Sequence, residues 1–226
     1  MTASHIMTVA ETQGRDLLRR RLALGMLVLL PAAMYLSVSG EESIIEPGAE
    51  PFPLKVGVIG VAWTIAGAAF FLGLSSRHVD ERLILAGYRR VDLALGRLLF
   101  LAGVALPMVL VSSLLITTLS RGDSGPIVLA VSCSAVVALG LGLALASMLP
   151  RELEGALALI ALVGMQISLP SDSPVAVAMP FHGPIQLAGV AWGSTGSVGL
   201  ALLHSGAAAA VLLGAFGALW GRRTRA

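Results

Sequence analysis

Residues 77–97 read RHVDERLILAGYRRVDLALGR, and the rest of the chain is organised around them. Five arginines, Arg77, Arg82, Arg89, Arg90 and Arg97, fall in this stretch, and long uncharged runs flank it on both sides. In its middle sits an apolar knob, Leu83-Ile84-Leu85-Ala86. The pattern predicts a short helix over 80–86 lying along a membrane surface, with Asp80 as its cap, Glu81 favourable in its first turn and Gly87 as its stop. Tyr88-Arg89-Arg90 then lead into a second helix, with Asp92 as the candidate cap. Aliphatic side chains presented to water in a charged loop call for a partner. Two readings stand: a docking site for a soluble protein, or a solvated charge cluster that fixes topology.

The flanking runs set the class. Apolar residues make up 56% of the chain and charged residues 12%, about half the charged share of a soluble domain; the mean hydropathy is +0.88. The expected fold is an all-α polytopic membrane protein with six spans. The first span is expected at 22–40, retained, with a signal peptide as the alternative, then 56–76, 98–120, 126–150, 155–169 and 197–220; about 20 residues cross a bilayer core. Residues 1–21 form an N-terminal segment with a basic amphipathic helix at 11–21, either an interfacial elbow or a topological anchor, and Met7 is an alternative start. A single domain covers 22–221, and 222–226 is a basic tail. From Ser173 to Gly221 no charged residue occurs over 49 positions. One helix of that length would run about 73 Å, more than twice the hydrocarbon core. It must break, and Pro174, Pro180, Gly183, Pro184 and Gly193 mark short broken or re-entrant helices before the last span.

With six spans, 13 of the 15 basic residues fall on one side and only Lys55 and Arg121 on the other. The positive-inside rule then makes both termini cytoplasmic in a bacterial cell membrane.

Several chemistries lack their residues. The only lysine, Lys55, follows no glycine-rich loop, so the chain has no Walker-type ATP site. The lone Cys133 excludes an intrachain disulfide, and His5, His78, His182 and His204 show no paired spacing for a metal. No catalytic and no metal-binding residue is expected, nor any cofactor on this chain or nucleic-acid partner. Charges inside the spans, which would mark ion or proton pathways, are not expected either. One enzyme reading exists: Gly193-Ser194-Thr195-Gly196 ahead of His204 is similar to the serine–histidine pattern of rhomboid proteases. In one helix, however, Ser194 and His204 would lie about 15 Å apart along the axis.

Taken in order, these features resemble the membrane subunit of ABC transporters of the second type, in the drug and antibiotic exporter branch, with the haem-exporter, lipid and polysaccharide permeases as alternatives. The resemblance rests on the basic elbow, on Asp80-Glu81-Arg82-Leu83 through Gly87-Tyr88-Arg89-Arg90, on Gly96-Arg97, on Glu152-Leu153-Glu154-Gly155-Ala156, and on the broken segment before the last span. It implies that a coupling helix, carried by Asp80, Glu81, Arg82, Leu83, Ile84, Leu85, Gly87, Tyr88, Arg89 and Arg90, docks on a separate ATPase that binds ATP and Mg. It implies a second permease subunit, identical or related, and a role in efflux and antibiotic resistance. Trp63, Phe70 and Phe71 in span two, with Met165 and Gln166 in span five, are the candidate cavity residues for a hydrophobic or amphipathic substrate; lipid-facing aromatics and a packed glutamine are the alternative. Ser112, Ser113, Thr117 and Thr118 are either a pathway lining or helix-packing contacts.

Overall fold

The computed structural model describes Met7, Glu11 and residues 21–40 and 52–223. The described residues are helical throughout, without strands. The helices are α1 (Arg21–Ser39), α2 (Phe52–Ser75), α3 (Arg77–Leu85), α4 (Arg90–Leu119), α5 (Ser124–Met148), α6 (Glu152–Ser168), α7 (Pro174–Ala178), α8 (His182–Ala191) and α9 (Val198–Arg223). The expected elbow helix lies outside the described residues, Glu11 and Arg21 apart.

Four helices, α2, α4, α5 and α9, are long and apolar enough to cross a membrane. Among the described residues the expectation of six is met only that far: α6 has 17 residues, and of α1 the stretch so assessed is Leu29–Ser39. The helix expected after Tyr88-Arg89-Arg90 and the span expected at 98–120 are one continuous helix, α4, from Arg90 to Leu119. Helix α9 runs to Arg223, so Arg222 and Arg223 belong to a helix rather than a tail.

Helix α2 is the centre. It is apolar on every face and is buried for most of its length, the pattern of a helix at the middle of a bundle. Small residues let α5 approach it closely. A Cβ on Gly142 would collide with the Ala66 carbonyl, and one on Gly73 would come within 2.7 Å of the Ala146 methyl. The Ser134 hydroxyl donates to the Val58 carbonyl at 3.2 Å. Contacts of this kind hold apolar helices together where burial from water gives no drive. Helix α6 packs on α2 through Phe70, whose ring lies where a Gly155 side chain would be. Helix α1 lays Met34 and Tyr35 against Gly60 and Gly57.

These contacts also fix directions. Positions 58, 66 and 73 of α2 meet 134, 142 and 146 of α5, so those two helices are parallel. Gly140 meets Leu212, and Ser147 lines the same small cavity as Trp220, which makes α9 parallel to α5. Helices α1, α4 and α6 run the other way, as Tyr35 and Ile116 near Gly57, and Leu169 near Lys55, require. The bundle therefore has an arginine-rich end, carrying α3, and an opposite end, carrying α7 and α8.

The segment before the last long helix is broken as the prolines predict. Ser173 caps α7, its hydroxyl accepting from the Ala176 N–H at 3.1 Å, with Pro174 in the first turn. Helix α8 ends at Gly193, whose φ of +92° an L side chain resists. The Gly193 and Ser194 amides close that end on the Val190 and Gly189 carbonyls, each at 3.0 Å.

Candidate functional site

The arginine-rich end holds a compact polar assembly. Helix α3 covers nine residues and stops where the glycine predicted. Gly87 has φ +93°, its N–H bonds Ile84 O at 3.0 Å, and the Tyr88 N–H bonds Leu83 O at 3.0 Å. This double closure is the glycine-terminated cap of an α-helix.

The start of α3 differs from expectation. Its N-cap is Ser76, which makes no side-chain capping bond; Asp80 lies one turn inside. There the Asp80 carboxylate accepts from one Arg97 nitrogen, Nη2, through both oxygens at 2.7 and 2.9 Å. Arg97 is 1% exposed and Asp80 5%. A charge so buried is stable only when paired, and this pair ties α3 to α4. The Arg97 guanidinium also lies 4.8 Å from the centre of the Trp220 ring, within cation–π range, which adds α9. Arg77 adds α5: its Nη2 donates to the Ala146 carbonyl and, at 2.6 Å, to Leu149 O. Those carbonyls belong to the C-terminal turn and cap of α5, where acceptors are left open and positive charge is favoured. Asp92 is not a cap either: Arg89 is the N-cap of α4, and Asp92 is buried in its first turn.

The apolar knob is split. Leu83 and Ile84 are half-buried and pack, with Tyr88, against Leu93, Leu101, Phe216 and Trp220 of the same chain. The aliphatic surface that α3 and the start of α4 present outward is Val79, Leu85 and Val91, with Leu85 88% exposed. Glu81, Arg82 and Arg89 are exposed beside it, and Arg90 is half-exposed. The outward face is thus apolar at its centre and mainly basic around it. No family model matches this chain, and no curated protein matches it.

Two of the charges that flank the expected spans are carried in the helices themselves. Besides Arg97, Lys55 stands in the first turn of α2, 3% exposed. Its Nζ donates to Leu169 O, the capping residue of α6, at 2.8 Å.

The candidate cavity residues do not share one environment. Phe70 is fully buried under Gly155, while Phe71 and Met165 face outward at 46% and 45% exposure. Trp63 is half-buried at the edge of the core. Gln166 is 1% exposed and its Oε1 has no hydrogen-bond partner, the one member of the set that holds an unmet polar atom inside. A cavity of about 10 Å³ beside Arg97, lined also by Gly73, Ser147, Phe216 and Trp220, is far too small for a substrate. In the ridge on α4, Thr117 and Thr118 bond back to Ser113, Leu114 and Leu115 carbonyls of their own helix.

At the opposite end the tertiary structure makes a pair that sequence spacing hides. His182 and His204 stack edge to face with ring centres 5.2 Å apart. His204 accepts the Gly183 N–H at Nδ1, 3.3 Å, and meets the Val177 carbonyl at Nε2, 3.0 Å. That pattern assigns the neutral ring with its proton on Nε2. Gly183 must be glycine here, since a side chain would strike Ser205 and the Ala201 carbonyl. Both nitrogens of His204 are engaged by α7 and α8, and the Ser194 amide bonds the Gly189 carbonyl in the last turn of α8. The spacing of 22 residues between the histidines gives no periodic signal; only the proline break, which folds α8 back on α9, could have hinted at it.

Proposed function

We propose that this chain is the membrane subunit of an ATP-driven exporter of the second ABC type, working with a separate ATPase that docks on α3. In this reading α1, α2, α4, α5, α6 and α9 are six spans of a bacterial inner-membrane permease with cytoplasmic termini. Residues 15–21 are its elbow, α3 is its coupling helix, and α7 and α8 are its re-entrant pair. Two such subunits, identical or related, and two ATPases make the working unit. Its substrate is a hydrophobic or amphipathic small molecule exported from the cell.

One observation carries the reading: a helix with an outward apolar and basic face, braced from behind by a buried ion pair. A loop that only sets topology has no use for a carboxylate and a guanidinium removed from water, which costs several kcal/mol per ion before pairing. A contact that receives force from another protein does, because a flexible lever transmits none. The alternation of six helix directions supports the same layout.

The test is pull-down of the tagged permease from membranes of its own host, with the captured material assayed for an ATPase subunit. Leu85→Asp puts a charge at an 88% exposed site and leaves the chain's own packing alone. Normal insertion with loss of the ATPase supports the reading; undiminished capture by the Leu85→Asp variant overturns it.

A further inference from the structure

We propose that Arg97 is a positioning residue that locks α3 to α9, and that α9 acts as a rod carrying displacement from the arginine-rich end to α8 at the other. Only 17% of the apolar window of α9 is buried, so few of its side chains are covered outright, among them Ala201, Ala209, Phe216 and Trp220. Among the described residues, its polar contacts with other helices lie near its two ends. Near its C-terminus the Trp220 ring sits against the Arg97 guanidinium, which Asp80 holds. Near its N-terminus His204 accepts the Gly183 amide and meets the Val177 carbonyl. The 16 residues from His204 to Trp220 span about 24 Å. Between them α9 lies along α5 on a small-residue surface, where Gly140 admits Leu212 and Leu213. Apolar contacts of that kind resist sliding far less than a directional polar bond does. A shift of α3 is therefore delivered through Arg97 to Trp220, along α9, and to the bond that holds α8.

That α3 receives the stroke of an ATPase rests on the permease reading. The linkage itself rests on geometry alone, so its test leaves the ATPase out. Cys133 is the only cysteine, lies on α5 and packs, half-buried, against the core cluster to which Ala201 and Ala209 of α9 belong. It reports whether α9 is seated. The rate of N-ethylmaleimide labelling is measured in membrane vesicles for the wild type, Arg97→Gln, Arg97→Lys and Trp220→Leu. One Arg97 nitrogen bridges both Asp80 oxygens, a contact that an ammonium can also make. The expected result is labelling at least tenfold faster in Arg97→Gln and Trp220→Leu, with Arg97→Lys within threefold of the wild type. A control cysteine at Leu115, on α4 and half-buried in the same core, in a Cys133→Ala background, should change less than twofold on adding Arg97→Gln. Labelling of Cys133 within twofold of wild type in Arg97→Gln overturns the proposal. So does an equal rise at the control site, since that is general loosening. Loss of ATPase capture from the Leu85→Asp variant bears on the permease reading, not on this one.

Discussion

Replacing Arg97 with methionine removes a guanidinium but keeps an unbranched apolar stem of similar reach. The Asp80 carboxylate then remains 5% exposed, judged by its present burial, without the nitrogen that now meets both its oxygens at 2.7 and 2.9 Å. With charge centres about 4 Å apart, the attraction lost is about 4 kcal/mol at an effective dielectric of 20. Breaking one side of a buried pair costs about 3–5 kcal/mol, and the two figures agree. Asp80→Asn should cost a similar amount, because Arg97 is even more deeply buried. The double variant leaves no unmatched charge and should lose less than about 2 kcal/mol, so the two changes are strongly coupled. Equilibrium unfolding of purified protein in mixed micelles, followed by helical circular dichroism against SDS, gives the four free energies of the cycle. For a chain of this size the single variants should also melt roughly 6–20 °C earlier. A methionine variant within about 1 kcal/mol of wild type, or a double variant as unstable as the sum of the singles, refutes the buried-pair account.

Other outcomes follow from the same contacts. Leu83→Asp should be poorly inserted or unfolded, losing about 2 kcal/mol or more of burial, whereas Leu85→Asp should accumulate normally; immunoblots of membrane fractions separate the two. Gly155→Val should drive Phe70 out of its site and cost at least about 3 kcal/mol, as severe overpacking does, read in the same unfolding assay. Gly87→Ala should cost about 1 kcal/mol through its positive φ, with no loss of membrane insertion. Reporter fusions at 225 and in the segment near 48 should place them on opposite sides of the membrane, the first cytoplasmic; an active periplasmic phosphatase at 225 contradicts the six-span layout.

The sequence alone determined the membrane class, the places where helices stop, and the charged helix between α2 and α4. Those features are local: uncharged length against bilayer thickness, prolines at 174 and 180, and Gly87 and Gly193, each at a left-handed turn. It did not reveal which face of each long helix is covered, because α2 and α5 are apolar all round and carry no period to read. Helix rotation then decided what touches what. It turned Asp80 from a cap into the partner of Arg97, and folded Leu83 and Ile84 back onto Phe216 and Trp220. It seated Phe70 on Gly155 and left Phe71 outside, and it brought His182 against His204. Each of these joins residues on different turns or different helices. Close packing of small residues sets such meetings, and no stretch of the chain contains that information by itself.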